Sequence, residues 1–170
     1  MLSNLFTRRA FAGQLATFFS SLGFAATASP SAAAQTKEET GGVKKLDYEG
    51  KPASEKGFIT PLITHSGVIY IAGQGAHSHD KGETFPIDIE NHTKSVMESV
   101  KTLVEAGGGT IDSILQLTVY LAKIDDYDGM NKVFKTYFPH GGPARTTVAV
   151  AALPGNSLVE INCTAAVTRK

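Results

Sequence analysis

Between Asp88 and Ala122 the apolar residues change their spacing once, and that change limits the fold more than any other feature of the chain. Ile89, Val96, Val100, Leu103 and Val104 fall on one stripe of a 3.6-residue period, which predicts a helix over 88–106. Asp88 can cap its start and Gly107 can stop its end. Leu115, Leu117, Val119 and Leu121 then alternate with Gln116, Thr118 and Tyr120, the period of a half-buried strand over 114–122. A chain that passes so quickly from one period to the other has a helix to lay against a sheet.

The remaining patterns extend that pair. Phe58 to Ile63 and Val68 to Ala72 are short apolar runs around Thr64-His65-Ser66-Gly67, which predicts a hairpin. Asp125 or Asp126 opens a second helix whose Tyr127, Met130, Phe134, Tyr137 and Phe138 are spaced for burial, and Pro139-His140-Gly141-Gly142-Pro143 ends it. Thr146 to Ala151 and Leu158 to Val167 are β-rich and joined by the turn signal Pro154-Gly155-Asn156. The predicted order is β-β-α-β-α-β-β, with room for a further short strand before Phe58. The fold class is α+β, with two helices on one face of a single sheet.

The first 34 residues are a different material. They hold Arg8 and Arg9 and no other charged residue, and five of the nine phenylalanines. Thr7-Arg8-Arg9-Ala10-Phe11 is a twin-arginine pattern, followed by a moderately apolar run to Ala28, a break at Ser29-Pro30-Ser31 and a small-residue site at Ala32-Ala33-Ala34. This predicts a twin-arginine export signal over 1–34, cut near Ala34–Gln35, and a periplasmic destination. A mitochondrial presequence, also rich in Arg and Ser, is the main rival reading, and uncleaved membrane anchoring is the third. The run contains Thr17, Ser20, Ser21 and Gly23, too weakly apolar for a membrane span, so no stable membrane insertion is expected after cleavage. Residues 35–54 read as a polar, flexible lead-in, and 55–170 as the folded domain.

Charge then excludes one class of partner. The whole chain carries 16 basic and 16 acidic residues; without Arg8 and Arg9 it stands at 14 against 16, a formal −2. A protein that holds nucleic acid through bulk charge needs the opposite balance, so no nucleic-acid partner is expected. One cysteine excludes a disulfide framework and a Cys-based metal site. Cys163 alternates with Val159, Ile161, Ala165 and Val167, a buried position. Gly107-Gly108-Gly109-Thr110 lacks the Gly-Lys-Ser/Thr ending of a phosphate loop and reads as a helix stop. His77-Ser78-His79-Asp80 reads as a solvated polar loop, and no metal or other cofactor is expected.

One constellation carries chemistry. Pro143-Ala144-Arg145-Thr146-Thr147 puts an arginine at a loop-to-strand junction, and Glu160 follows fifteen residues later. If the two strands pair as a hairpin about Gly155-Asn156, then Arg145, Thr147, Glu160 and Asn162 share a face. Glu160 would then lie opposite Ala151, roughly 20 Å along the strand from Arg145. A site using both has to come from sheet curvature or from two subunits. The bland alternative is an exposed arginine and an exposed glutamate on a solvated face.

Val119-Tyr120-Leu121, Asp125 to Tyr127, Met130 to Phe134, Pro143-Ala144-Arg145-Thr146-Thr147, Leu153-Pro154 and Val159-Glu160-Ile161 follow one another in an order and spacing that resembles the reactive intermediate deaminase (RidA, YjgF-like) family. Ile69 to Gln74 is similar to that family's strand ending in Ser-Gly-Gln, here with Ala72 for serine. The resemblance covers about residues 57–168. It implies a chorismate-mutase-like α+β fold and a homotrimer with ligand clefts between subunits. It also implies cofactor-independent hydrolysis of 2-imino or enamine acids to 2-oxo acids and ammonia. Arg145 would hold the substrate carboxylate, Glu160 would position water, and Gly73 and Thr147 would line the cleft. The chain departs from the family at Ile59, where a tyrosine is common, at Thr147, where a cysteine is common, and in the short loop from Phe138 to Arg145.

Two functions follow from the same arginine. One is an imine or enamine deaminase using Arg145 and Glu160. The other is a non-catalytic trimeric binding module for small carboxylates such as 2-oxo acids. A ribonuclease activity, assigned to some members of the family, would need a basic track with stacking aromatics that this chain lacks.

Overall fold

The computed structural model describes residues 42–76 and 88–168. The segment 1–34 expected to be an export signal, the lead-in up to residue 41 and the His77-Ser78-His79-Asp80 cluster lie outside the described residues.

The described chain forms β1 (Lys44–Leu46), β2 (Leu62–His65), β3 (Val68–Gly75), α1 (Ile89–Ala106), β4 (Ile114–Leu121), α2 (Tyr127–Tyr137), β5 (Ala144–Ala149) and β6 (Val159–Ala166). The strands make one sheet in the order β1-β2-β3-β6-β4-β5. β4 and β5 run parallel, and every other neighbouring pair is antiparallel. Both helices cover one face. Val96, Met97, Val100, Leu103 and Val104 of α1 and Met130 and Phe134 of α2 join Leu62, Ile69, Ile71, Leu117, Val119, Leu121, Val159, Ile161, Cys163 and Ala165 in a single core. The α+β class and the two-helix layer are as the periodicities predict.

Local chemistry sets the boundaries. Asp88 caps α1 by accepting from the Asn91 amide at 2.9 Å, and the same bond holds its carboxyl below the usual value. At the other end the left-handed residue is Gly108, at φ +85°, rather than Gly107. Its amide bonds the Glu105 carbonyl at 3.0 Å and that of Gly109 bonds Val104 at 2.9 Å, the paired closure of a Schellman motif. Ser66 and Gly67, both at positive φ, turn β2 into β3 in two residues, so Thr64 and His65 lie in the strand instead of the loop.

Five expectations need correction. The strand expected over Phe58–Ile63 begins only at Leu62, because Pro61 has no amide to give a ladder; Phe58 stays 97% exposed. The lead-in expected over 35–54 contains β1, whose pairing with β2 ties Lys44–Leu46 into the sheet. Leu115 is not on the core face: β4 bulges between Ile114 and Gln116, so Ile114 is buried and Leu115 is 54% exposed. Tyr127 of α2 is likewise 39% exposed at the rim of the core. The hairpin expected between β5 and β6 does not form. β6 enters the sheet between β3 and β4, and β5 pairs with the far side of β4.

Candidate active site

The sheet order decides where the two candidate charges go. Paired residues in a ladder project to the same side. Arg145 pairs with Leu117 and Thr147 with Val119, both core residues, so Arg145 and Thr147 face the helices. Glu160 pairs with Tyr120 and Asn162 with Thr118, on the face the helices leave open. The expectation that Arg145, Thr147, Glu160 and Asn162 share one face is therefore overturned, because it rested on the β5–β6 hairpin. Along β4 the two charges are three positions apart, roughly 10 Å, and two strand spacings across, about 10 Å more. Within one chain they open on opposite sides of the sheet.

Arg145 lies against α2. Its guanidinium carbon is 4.6 Å from the centroid of the Phe134 ring and 5.8 Å from that of Tyr127. Nη2 donates to the Tyr127 hydroxyl at 3.4 Å, and Nη1 points to Met130 Sδ at 4.0 Å. Among the described residues the sole ion pair joins Lys132 to Glu90, so no carboxylate neutralises Arg145. A half-buried guanidinium held by aromatic faces and a thioether, with donors to spare, is suited to a planar anion. Thr147, two residues along β5, has a buried Oγ1 without a hydrogen-bond partner.

Glu160 lies over a bulge in β3. The register with β6 slips between Ile71 and Gln74, which brings the backbone of Gly73 beneath the Glu160 side chain. A Cβ on Gly73 would collide with the Glu160 carboxylate and stand 2.9 Å from its Cδ. Gln74 turns inward and is buried, and its amide donates to the Ala72 carbonyl at 2.9 Å and the Gly73 carbonyl at 3.2 Å. Those bonds hold the irregular backbone that Glu160 rests on. Beside it, Asn162 Oδ1 is buried without a partner. Gly73 thus adjoins Glu160, and Thr147 adjoins Arg145.

Sequence reasoning missed Tyr127, Met130 and Phe134 as partners of Arg145. Their spacing of three and four residues predicts core packing, but the spacing does not carry that β5, as the edge strand, brings Arg145 to the rim of that stripe. Gln74 belongs to a recognisable motif, yet nothing in the sequence marks it as the residue that braces the bulge.

The sequence profile described as Endoribonuclease L-PSP matches residues 49–167. The chain belongs to this family, which includes RutC and reactive intermediate deaminase proteins. A RutC family protein of Pyrococcus horikoshii is 37% identical over 123 residues, 72% of this chain and 98% of the relative. The 2-iminobutanoate/2-iminopropanoate deaminase of Mus musculus is 34% identical over 123 residues, 72% of this chain and 91% of the relative. Among solved structures, E. coli TdcF with bound serine superposes with a TM-score of 0.64 at 26% identity, covering 74% of this chain and all of that one.

Proposed function

We propose that the protein is a cofactor-independent hydrolase of reactive 2-imino or enamine acids, releasing a 2-oxo acid and ammonia. The observation that carries this reading is the unneutralised guanidinium of Arg145, held over the Phe134 ring with donors left for a carboxylate. The name of the mouse relative and the serine bound to TdcF, itself an α-amino carboxylate, support the same substrate class.

Arg145 holds the carboxylate and so fixes the neighbouring C2. A protonated imine carbon is already electrophilic, so the remaining requirement is an oriented water. The Glu160 carboxylate takes a proton from that water as its oxygen bonds to C2, giving a tetrahedral carbinolamine. Glu160 returns that proton to nitrogen; as the C–N bond breaks, the hydroxyl forms the C=O and gives its proton to the departing ammonia, leaving the 2-oxo acid and ammonium. Gly73 lets Glu160 lie against the sheet, and Thr147 Oγ1 borders the carboxylate side of the cleft. Because Arg145 and Glu160 open on opposite faces, a cleft using both takes Arg145 from one copy and Glu160 from the next, and the family resemblance makes that assembly a homotrimer. The Thr7-Arg8-Arg9-Ala10-Phe11 pattern supports twin-arginine export of the mature protein to the periplasm, with residues 1–34 removed.

The test is hydrolysis of freshly generated 2-iminobutanoate. The protein accelerates 2-oxobutanoate release, and Arg145→Ala lowers kcat/KM by about a hundredfold, the value of a charge-assisted bidentate contact. Glu160→Gln lowers kcat while 2-oxobutanoate still binds. A rate unchanged by the protein contradicts the reading. Binding without turnover, indifferent to Glu160→Gln, identifies instead a carboxylate-binding module.

A further inference from the structure

We infer that Tyr127 is a positioning residue for Arg145, setting the plane in which the guanidinium meets a ligand carboxylate; this rests on Arg145 being the carboxylate anchor proposed above. An arginine side chain loses rotamer freedom when it is fixed, and a surface arginine meets its ligand only after incurring that cost. In this chain most of the ordering is done beforehand. The Phe134 ring supports one face of the guanidinium at 4.6 Å. Met130 Sδ, one helical turn from Phe134, borders Nη1 at 4.0 Å. The ring contact leaves rotation about the axis through its centroid free, and the Met130 thioether, a weak acceptor, restrains it little. The hydroxyl of Tyr127 restrains it more, because it accepts from Nη2 at 3.4 Å from the opposite end of the same helix stripe.

The chemistry of the contact suits a positioning role. A tyrosine hydroxyl that accepts from Nη2 leaves the charge on Arg145 intact, whereas a carboxylate in its place would neutralise the anchor and compete with the ligand. Tyr127 begins α2 and is 39% exposed, so its ring adds little to the core and its hydroxyl is reachable from the cleft side. Phe134, at 6% exposure, is a core residue first. Tyr127 therefore separates positioning from packing better than any other neighbour of Arg145.

The experiment is a double-mutant cycle read by calorimetry with 2-oxobutanoate as the probe, in the intact protein. Tyr127→Phe removes one hydroxyl, weakens 2-oxobutanoate by about three- to tenfold and leaves the thermal midpoint unchanged. Tyr127→Leu, which also removes the ring beside the cation, weakens it further. In an Arg145→Lys background Tyr127→Phe has no further effect, since the group it orients is gone. Selectivity for 2-oxobutanoate over its neutral amide falls in Tyr127→Phe. An affinity equal to wild type, or the same loss in both backgrounds, overturns the positioning role. Absence of 2-oxobutanoate binding by the wild-type protein overturns the carboxylate anchor itself and this inference with it.

Discussion

At Cys163 the sequence pattern and the physical environment agree. Its alternation with Ile161 and Ala165 predicts burial, and the residue is 4% exposed on the core side of β6. Burial among apolar neighbours pushes the thiol up to about 12 from its ordinary 9.0, because the thiolate would lose its hydration there. A raised folded-state pKa means the stability is fully present below about pH 9 and is lost as pH rises toward 12. The urea midpoint should fall across that window, and Cys163→Ala should fall less steeply; parallel slopes in the two proteins would contradict the assignment. Arg145 and Glu160 were legible by type and position, since few charges lie in the β-rich runs. Their environments were not, because both depend on which strand lies alongside, and sequence spacing does not carry that.

Elements were legible where one period ran unbroken and failed where the backbone departs from it. α1 and its cap at Asp88 follow directly from the apolar stripe and the flanking residues. β4 fails at Leu115, because a bulge inserts a residue that an alternation count does not register. The other bulge, in β3, has a functional consequence: it puts Gly73 under Glu160. Gly73→Ala forces the flexible carboxylate to swing aside while the strand is retained. The expected outcome is a lowered kcat for imine hydrolysis with little change in 2-oxobutanoate affinity or in thermal midpoint. A kcat equal to wild type would show that Glu160 does not act from the position it holds over the bulge. A strong turn signal joining two β-rich runs predicts a β5–β6 hairpin. β6 instead takes the central place between β3 and β4, where both its neighbours bury the same alternating face, and β5 is left as a parallel edge strand. Non-local pairing won over the local turn.

At the largest scale, the layer arrangement of the described residues follows from the element order, because their two amphipathic helices and six strands have few other ways to bury their apolar faces. The near-neutral charge of the chain leaves the function to a few side chains instead of a field. The central claim is that Arg145 and Glu160, on opposite faces of one sheet, meet only between copies. It is tested most directly by mixing two inactive variants, Arg145→Ala and Glu160→Gln, co-expressed with separate tags and assayed on 2-iminobutanoate. A shared cleft joins the intact Glu160 of one variant to the intact Arg145 of the other, so random trimers recover about a quarter of wild-type activity. No recovery in demonstrably mixed trimers, or full activity in a monomeric protein, would contradict the account.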